Sequence, residues 1–112
     1  MKERNLDEYL KEICMVPLLT EEEECELLKA VQEKGTDCEE MKRLEKAMAR
    51  FVVSLSGQYR NKGLTIWELI DAGTEGLRKA AMKYKLDSDF KFIAYAVWWM
   101  RQAMIQAIEE KK

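Results

Sequence analysis

Within residues 90–104, FKFIAYAVWWMRQAM, the aromatics Tyr95, Trp98 and Trp99 are interleaved with Lys91, Arg101 and Gln102. Flat rings offer stacking faces to unpaired bases, and cations beside them hold phosphates. A glutamine amide presents a donor and an acceptor together and so can read a base edge. This is the chemistry of recognition rather than of bond making. The chain contains no histidine, the commonest general base. It has no phosphate-binding glycine loop of the Walker or Rossmann type, and Gly73 and Gly76 in DAGTEGL are read as sites of close helix packing. Cys14, Cys25 and Cys38 form an odd set without a C-x-x-C pair, so reduced thiols are expected rather than a zinc site or a disulfide framework. No enzyme, metal or other cofactor is expected.

At 112 residues the chain suffices for one domain with a real core. With 47% apolar and 36% charged residues it reads as a folded protein rather than a disordered tail. No apolar run approaches the roughly 18–20 residues of a membrane span, and MKERNLDEYL lacks a signal-type apolar segment. No membrane partner and a cytoplasmic location are expected. The net charge of −2 is unevenly spread. Residues 1–50 carry nine Lys/Arg against fourteen Asp/Glu, net −5, and residues 51–112 carry ten against seven, net +3. A polyanionic partner should therefore meet the second half, although the excess is too small for strong nonspecific nucleic-acid binding.

The elements that position these residues read as all-α, a compact bundle of about five helices forming a single domain. A first helix is predicted from about Leu6 to Cys14, with Leu6, Tyr9, Leu10 and Ile13 on one side and Pro17 beyond its end. In TEEEE, Thr20 and Glu23 stand at the capping-box positions of a second helix, which Gly35 closes. The acidic run 21–24 suits the positive end of that helix dipole. A third helix is predicted from about Asp37 to Asn61, burying Met41, Leu44, Met48, Phe51, Val52 and Leu55. Thr65 and Glu68 open a fourth, running to about Tyr84, with Ile66, Leu69, Ile70, Leu77 and Ala81 buried. The loop KLDSD precedes a last helix from about Phe90 to Glu109.

On a helical wheel of the last helix with Ile93 at zero, Val97, Met100, Met104 and Ile108 fall within roughly 60° of it, a complete core stripe. Lys91, Tyr95, Trp98, Gln102 and Gln106 fall at roughly 140–220°, on the opposite side, with Trp99 beside them. Two readings follow. The helix packs on both sides and the tryptophans fill a second layer, or the second stripe is an exposed surface that holds single-stranded or partly opened DNA. Burial of the indoles separates the two.

Larger blocks carry a resemblance. YRNKGLTIWELIDAGTEGLRKAAMKY, followed by FKFIAYAVWWMRQAMIQAI, resembles the central domain of bacterial sigma factors of the sigma-70 family, nearest the primary class. LDEYLKEICMVPLLTEEEECELLKAV is similar to the short segment that precedes that domain, and ARFVVSLSGQYRNKGL to the family's NLRLVVSIAKKYRNRGL. The likeness covers nearly the whole chain in the family's order. It implies that residues 1–35 correspond to region 1.2 and residues 36–112 to region 2, within one helical domain that binds core RNA polymerase and recognises and opens the minus-ten promoter element. The family's later domains are not present in this sequence. A fragment of a longer protein and a stand-alone relative both fit, Met1 and the closing EEKK being compatible with a short natural chain.

Position by position, the resemblance implies that Phe90, Phe92, Tyr95, Trp98 and Trp99 stabilise the opened non-template strand. It places Lys91 and Arg101 at phosphates, Gln102 at the double-stranded upstream edge, and Leu10 and Lys11 just downstream of the element. Arg50, Tyr84 and Gln106 complete the expected DNA-binding set. Trp67, Glu68, Ile70, Asp71, Thr74 and Arg78 are implied to dock on the clamp coiled coil of polymerase. Several positions depart from the family pattern. ELIDAGTEGLR replaces DLIQEGNIGLM, losing the carboxylate at Ala72 and gaining the charge of Arg78. LDSD replaces an arginine-rich YRRG turn, setting Asp87 and Asp89 where like-charge repulsion with phosphate follows. Ile93 and Ala94 replace a polar Ser-Thr pair at the implied pocket for a flipped base. A second functional class is therefore also open: a sigma-like interaction protein that binds polymerase, or an anti-sigma regulator, without reading a promoter.

Overall fold

The computed structural model describes residues 5–111; Met1 to Arg4 and Lys112, which belong to the expected domain and to the EEKK ending, lie outside the described residues. Five α-helices follow in order: α1 Leu6–Met15, α2 Glu21–Lys34, α3 Glu39–Ser56, α4 Ile66–Lys83 and α5 Phe92–Lys111, with a short 3-10 turn at Gly57–Tyr59. The all-α bundle is as expected. Among the described residues no helix is long and apolar enough to cross a membrane.

The helix starts follow from side-chain caps. Asn5 Oδ1 accepts the backbone N–H of Asp7 at 2.9 Å, which opens α1. Thr20 and Glu23 form a reciprocal capping box at 3.1 and 3.0 Å, and Thr65 and Glu68 form another at 3.1 and 2.9 Å. Each box satisfies two N–H groups that the helix itself leaves unpaired. Gly35 ends α2 at φ 90°, where a side chain would be strained.

The third helix is shorter than predicted at both ends. It begins after Cys38, which offers no side-chain cap. The buried Ser56 hydroxyl donates to the Val52 carbonyl four residues back at 2.7 Å, a bond that loosens a helix. Gly57, a poor helix former, then admits the 3-10 turn, and Asn61 at φ 66° and Gly63 at φ 104° reverse the chain. Two residues expected in the core, Phe51 and Ile66, are only half-buried at its edge.

The core lies between α2, α3, α4 and α5, with Leu28, Val31, Met41, Leu44, Leu69, Leu77 and Met100 fully buried. Its closest pairing is α4 against α5. Gly73 faces Met104 and Gly76 faces Trp99 and Met100, so the two helices run antiparallel and touch at their backbones. Gln32 ties α2 to the end of α4, its amide donating to the carbonyls of Ala81 at 3.0 Å and Tyr84 at 2.7 Å.

The core stripe of α5 differs from the wheel. Phe92, Ala96, Met100, Met104 and Ile108 are buried at four-residue steps, while Ile93 and Val97 are half-buried. Met100, Met104 and Ile108 belong to both stripes. Packing decides between them, turning the side of α5 that bears Ala96 and Phe92 inward.

Candidate nucleic-acid interface

The rings form a continuous chain from core to solvent. Phe92 meets Tyr84 edge-on at 5.3 Å between centroids, Tyr84 meets Tyr95 at 5.5 Å, and Tyr95 meets Trp99 at 6.2 Å. Trp99 then meets Trp98 at 5.4 Å with planes nearly perpendicular. Such edge-to-face pairs add stability beyond the area they bury. Burial falls along the chain: Phe92 is 1% exposed, Tyr84, Tyr95 and Trp99 are half-buried, and Trp98 is 57% exposed. The inner rings thus brace the outer one in a fixed orientation. Burial divides the two tryptophans: Trp99 packs among its neighbours as in a second layer, and Trp98 faces water.

Phe92 corrects the expectation that it meets DNA. Sealed in the core between α2, α4 and α5, it is out of reach of a strand. Phe90, two residues earlier and ahead of the helix, is 74% exposed. Its position is set locally: Ser88 Oγ accepts the Phe90 N–H at 3.1 Å, and the Tyr84 hydroxyl donates to the Phe90 carbonyl. Burial, with Glu24 nearby, pushes the Tyr84 phenol above its ordinary value.

The polar members of the row are mostly at the surface. Gln102, Gln106 and Lys91 are exposed. Gln106 Nε2 donates to Glu110 one turn on at 3.2 Å. Arg101 is half-buried, with Nη1 donating to the Tyr59 hydroxyl at 3.4 Å. Lys83 was not singled out in the sequence, yet its Nζ lies 5.8 Å from the Trp99 ring centre, a cation–π contact. No local sequence feature signals that contact, which depends on how α4 and α5 cross. The Trp99 Nε1 is buried and has no acceptor among the described residues.

The remaining expected DNA residues lie elsewhere. Leu10, half-buried, and Lys11, exposed, are on α1, whose main neighbour is α3. Arg50 is a correction. Its Nη2 donates to the carbonyls of Val16 at 2.9 Å, Ile13 at 3.4 Å and Cys14 at 3.5 Å. One nitrogen of that guanidinium caps the C-terminus of α1 and holds it on α3, so Arg50 is tied into the fold rather than held out toward a strand.

The expected polymerase-binding face on α4 is likewise divided. Ile70, 4% exposed, belongs to the core and is withdrawn from any contact surface. Trp67 packs edge-on against Tyr9 of α1 at 5.3 Å. Glu68 closes the cap of α4 and meets Lys111 at 3.2 Å. The Thr74 hydroxyl donates to the Ile70 carbonyl at 2.8 Å. Arg78 bridges Glu45 on α3 at 2.9 Å and Glu75 at 3.3 Å, so the cation that departs from the family pattern is neutralised within the domain. Asp71 is exposed beside a cleft of about 520 Å³ between α1, α3 and α4, which Tyr9, Glu45 and Thr74 also line.

A second cleft, of about 420 Å³, opens between the first turn of α2 and the segment before α5. Glu21, Glu24, Tyr84, Asp89, Phe90 and Lys91 line it. Burial, and then the neighbouring Glu21 charge, push the Glu24 carboxyl above the usual carboxylate value. Sequence reasoning assigned the acidic run to the dipole of α2 and missed that its first glutamate reaches the aromatic rim; only the packing of α2 beside residues 84–93 reveals it.

Comparison with known proteins agrees with this architecture. The family model for Sigma-70 region 2 matches residues 44–112. Proteins described as RNA polymerase sigma factor SigA from a Bacillus species, Clostridium acetobutylicum and Listeria monocytogenes are each 43% identical over 103 residues, which is 92% of this chain. The chain spans 27% of the length of these relatives.

Proposed function

Because the chain belongs to the sigma-70 family through its region 2, we propose that it serves transcription initiation as a promoter-recognising module of RNA polymerase. On this reading it has no catalysis of its own and works in the cytoplasm with polymerase. Residues 36–112 act as region 2, and α1 and α2 act as the preceding region 1.2 segment within the same domain. The observation that carries the reading is the braced, exposed Trp98 at the end of the aromatic chain, one turn from exposed Gln102. An indole held in a fixed orientation at a surface is preorganised to stack on an unpaired base. Trp98 and Tyr95 hold the opened non-template strand of the minus-ten element. Gln102 and Gln106 meet the upstream double-stranded edge, and Lys91 and Arg101 meet phosphates. On the other side, Trp67, Glu68, Asp71, Thr74 and Arg78 dock on the clamp coiled coil of core polymerase, with Glu45 holding Arg78 in place. Leu10 and Lys11 extend the DNA path downstream.

The experiment is anisotropy of a labelled single-stranded oligonucleotide carrying a TATAAT-type sequence, at low salt, alone and with core polymerase. The expected result is binding that prefers this sequence to a scrambled strand and that Trp98→Ala weakens. Absence of binding with and without polymerase, or binding untouched by Trp98→Ala, overturns the reading.

A further inference from the structure

The reading above leaves α2 as scaffold, yet the first turn of α2 forms one wall of the cleft at the aromatic rim. There Glu21 Oε1 lies 4.0 Å from Lys91 Nζ, and both side chains are well exposed. Glu24, a turn further along α2, and Asp89, from the segment before α5, line the same cleft. The cation expected to take a phosphate at this rim is therefore already faced by carboxylates from two separate elements. Arg101, the next cation along the row, is engaged with Tyr59.

Resting on the proposed DNA-binding reading, we infer that Glu21 is an interface residue of the opposite sign: it competes with the strand's phosphates for Lys91 and so ends the strand's path at the Phe90 rim. A phosphate at Lys91 must share the ammonium with the Glu21 carboxylate and sit near Glu24 and Asp89, and at such distances like charges repel. An exposed ion pair is weak and screened by salt, so Glu21 acts as a competitor rather than a lock. The acidic start of α2 therefore has two roles, complementing the helix dipole and setting how far the bound strand extends.

The test compares the wild type, Glu21→Gln, Lys91→Gln and the double variant in oligonucleotide binding across a salt series, with helicity and thermal midpoint checked for each. Glutamine keeps the size of the side chain, and the Thr20–Glu23 capping box is untouched. Glu21→Gln is expected to tighten binding by roughly 3- to 5-fold at low salt, the scale of one exposed ion pair. It should also steepen the dependence of log affinity on log salt by about 0.7, one additional single-strand phosphate contact. In the Lys91→Gln background the same change should alter neither quantity. Unchanged affinity and slope in Glu21→Gln overturn the inference while leaving the DNA-binding reading intact. An equal gain in the Lys91→Gln background also overturns it, because the effect would then be a general charge field. If neither the wild type nor Glu21→Gln binds any strand, the DNA-binding reading itself falls, and this inference with it.

Discussion

Gly76 approaches the backbone of α5 so closely that a Cβ placed on it would lie 2.6 Å from the Trp99 carbonyl oxygen and 2.8 Å from the Met100 Cα. Backbone atoms cannot swing aside as a side chain can, so any larger residue there must part α4 from α5. Those helices carry the residues proposed to meet polymerase and DNA respectively. The glycine thus links the fold to both surfaces.

Gly76→Ala is expected to destabilise the domain by about 2 kcal/mol. Overpacking against backbone costs up to about 3 kcal/mol, and the better helix propensity of alanine returns about 1 kcal/mol. Gly73→Ala should cost less, because its nearest neighbours are the flexible end of Met104 at 2.5 Å and a methyl of Val52 at 2.9 Å. Urea unfolding of the two variants checks the order. Equal stability of Gly76→Ala and the wild type would mean that the helices do not approach as described.

Much of this architecture was legible because it depends on local chemistry. The capping boxes at Thr20 and Thr65 and the stop at Gly35 involve residues within four positions of one another, so spacing alone located them. Where α3 ends was less legible, since apolar periodicity continues past the Ser56–Val52 bond that loosens it. The face of α5 was ambiguous for a geometric reason: stripes starting at Phe92 and at Ile93 share Met100, Met104 and Ile108. The resemblance placed Phe92 at the expected DNA surface, and the wheel's ambiguity hid the brace it gives to Tyr84. The engagement of Arg50 with α1, 34 to 37 residues away in the chain, has no local signature.

The aromatic chain predicts different consequences for adjacent indoles. Trp98 is exposed at the end of the row, so Trp98→Ala should leave stability nearly unchanged and weaken oligonucleotide binding by about 1–3 kcal/mol, the usual worth of one stacked base. The Trp99 ring packs between Tyr95 and Trp98, with Lys83 of α4 over it. Trp99→Ala should therefore cost about 3 kcal/mol of stability and impair binding indirectly, through loss of the support beneath Trp98. Thermal unfolding measured beside anisotropy separates the two. The same stability loss in both variants would contradict the graded burial.

Arg50 predicts a local rather than a global phenotype. Its Nη2 donates to carbonyls of Ile13, Cys14 and Val16, so Arg50→Ala removes the tie between α3 and the end of α1. The expected cost is about 1–2 kcal/mol, typical of hydrogen bonds from a charged donor. Hydrogen exchange should show faster amides over residues 9–16 while α4 and α5 keep their protection. Lysine, lacking the guanidinium fork, should rescue poorly. Uniform loss of protection across all five helices would assign Arg50 to the core instead.

Acid stability should follow the two capping boxes. Glu23 and Glu68 accept backbone N–H bonds from Thr20 and Thr65, and these bonds, before any ion pair, hold both carboxyls below their ordinary 4.5. A carboxyl depressed in the folded state contributes stability that is present above its unfolded value and lost as pH falls through the folded one. Glu24 has the opposite sign. Burial raises its value, so its charge opposes folding near neutrality and that penalty fades on acidification. The thermal midpoint should therefore hold or rise slightly on acidification from neutrality towards 4.5, as Glu24 takes up its proton, and then fall below 4.5 as the caps are protonated. Glutamine can replace glutamate in a capping box without titrating. The double variant Glu23→Gln/Glu68→Gln should keep helicity near neutrality and lose less stability between about pH 4.5 and about pH 3 than the wild type, by circular dichroism melts. The Glu40 carboxyl, held below its ordinary value chiefly by its hydrogen bond from Lys34, supplies part of the decline that persists. An acid limb equally steep in the wild type and the double variant would show that the caps do not govern it.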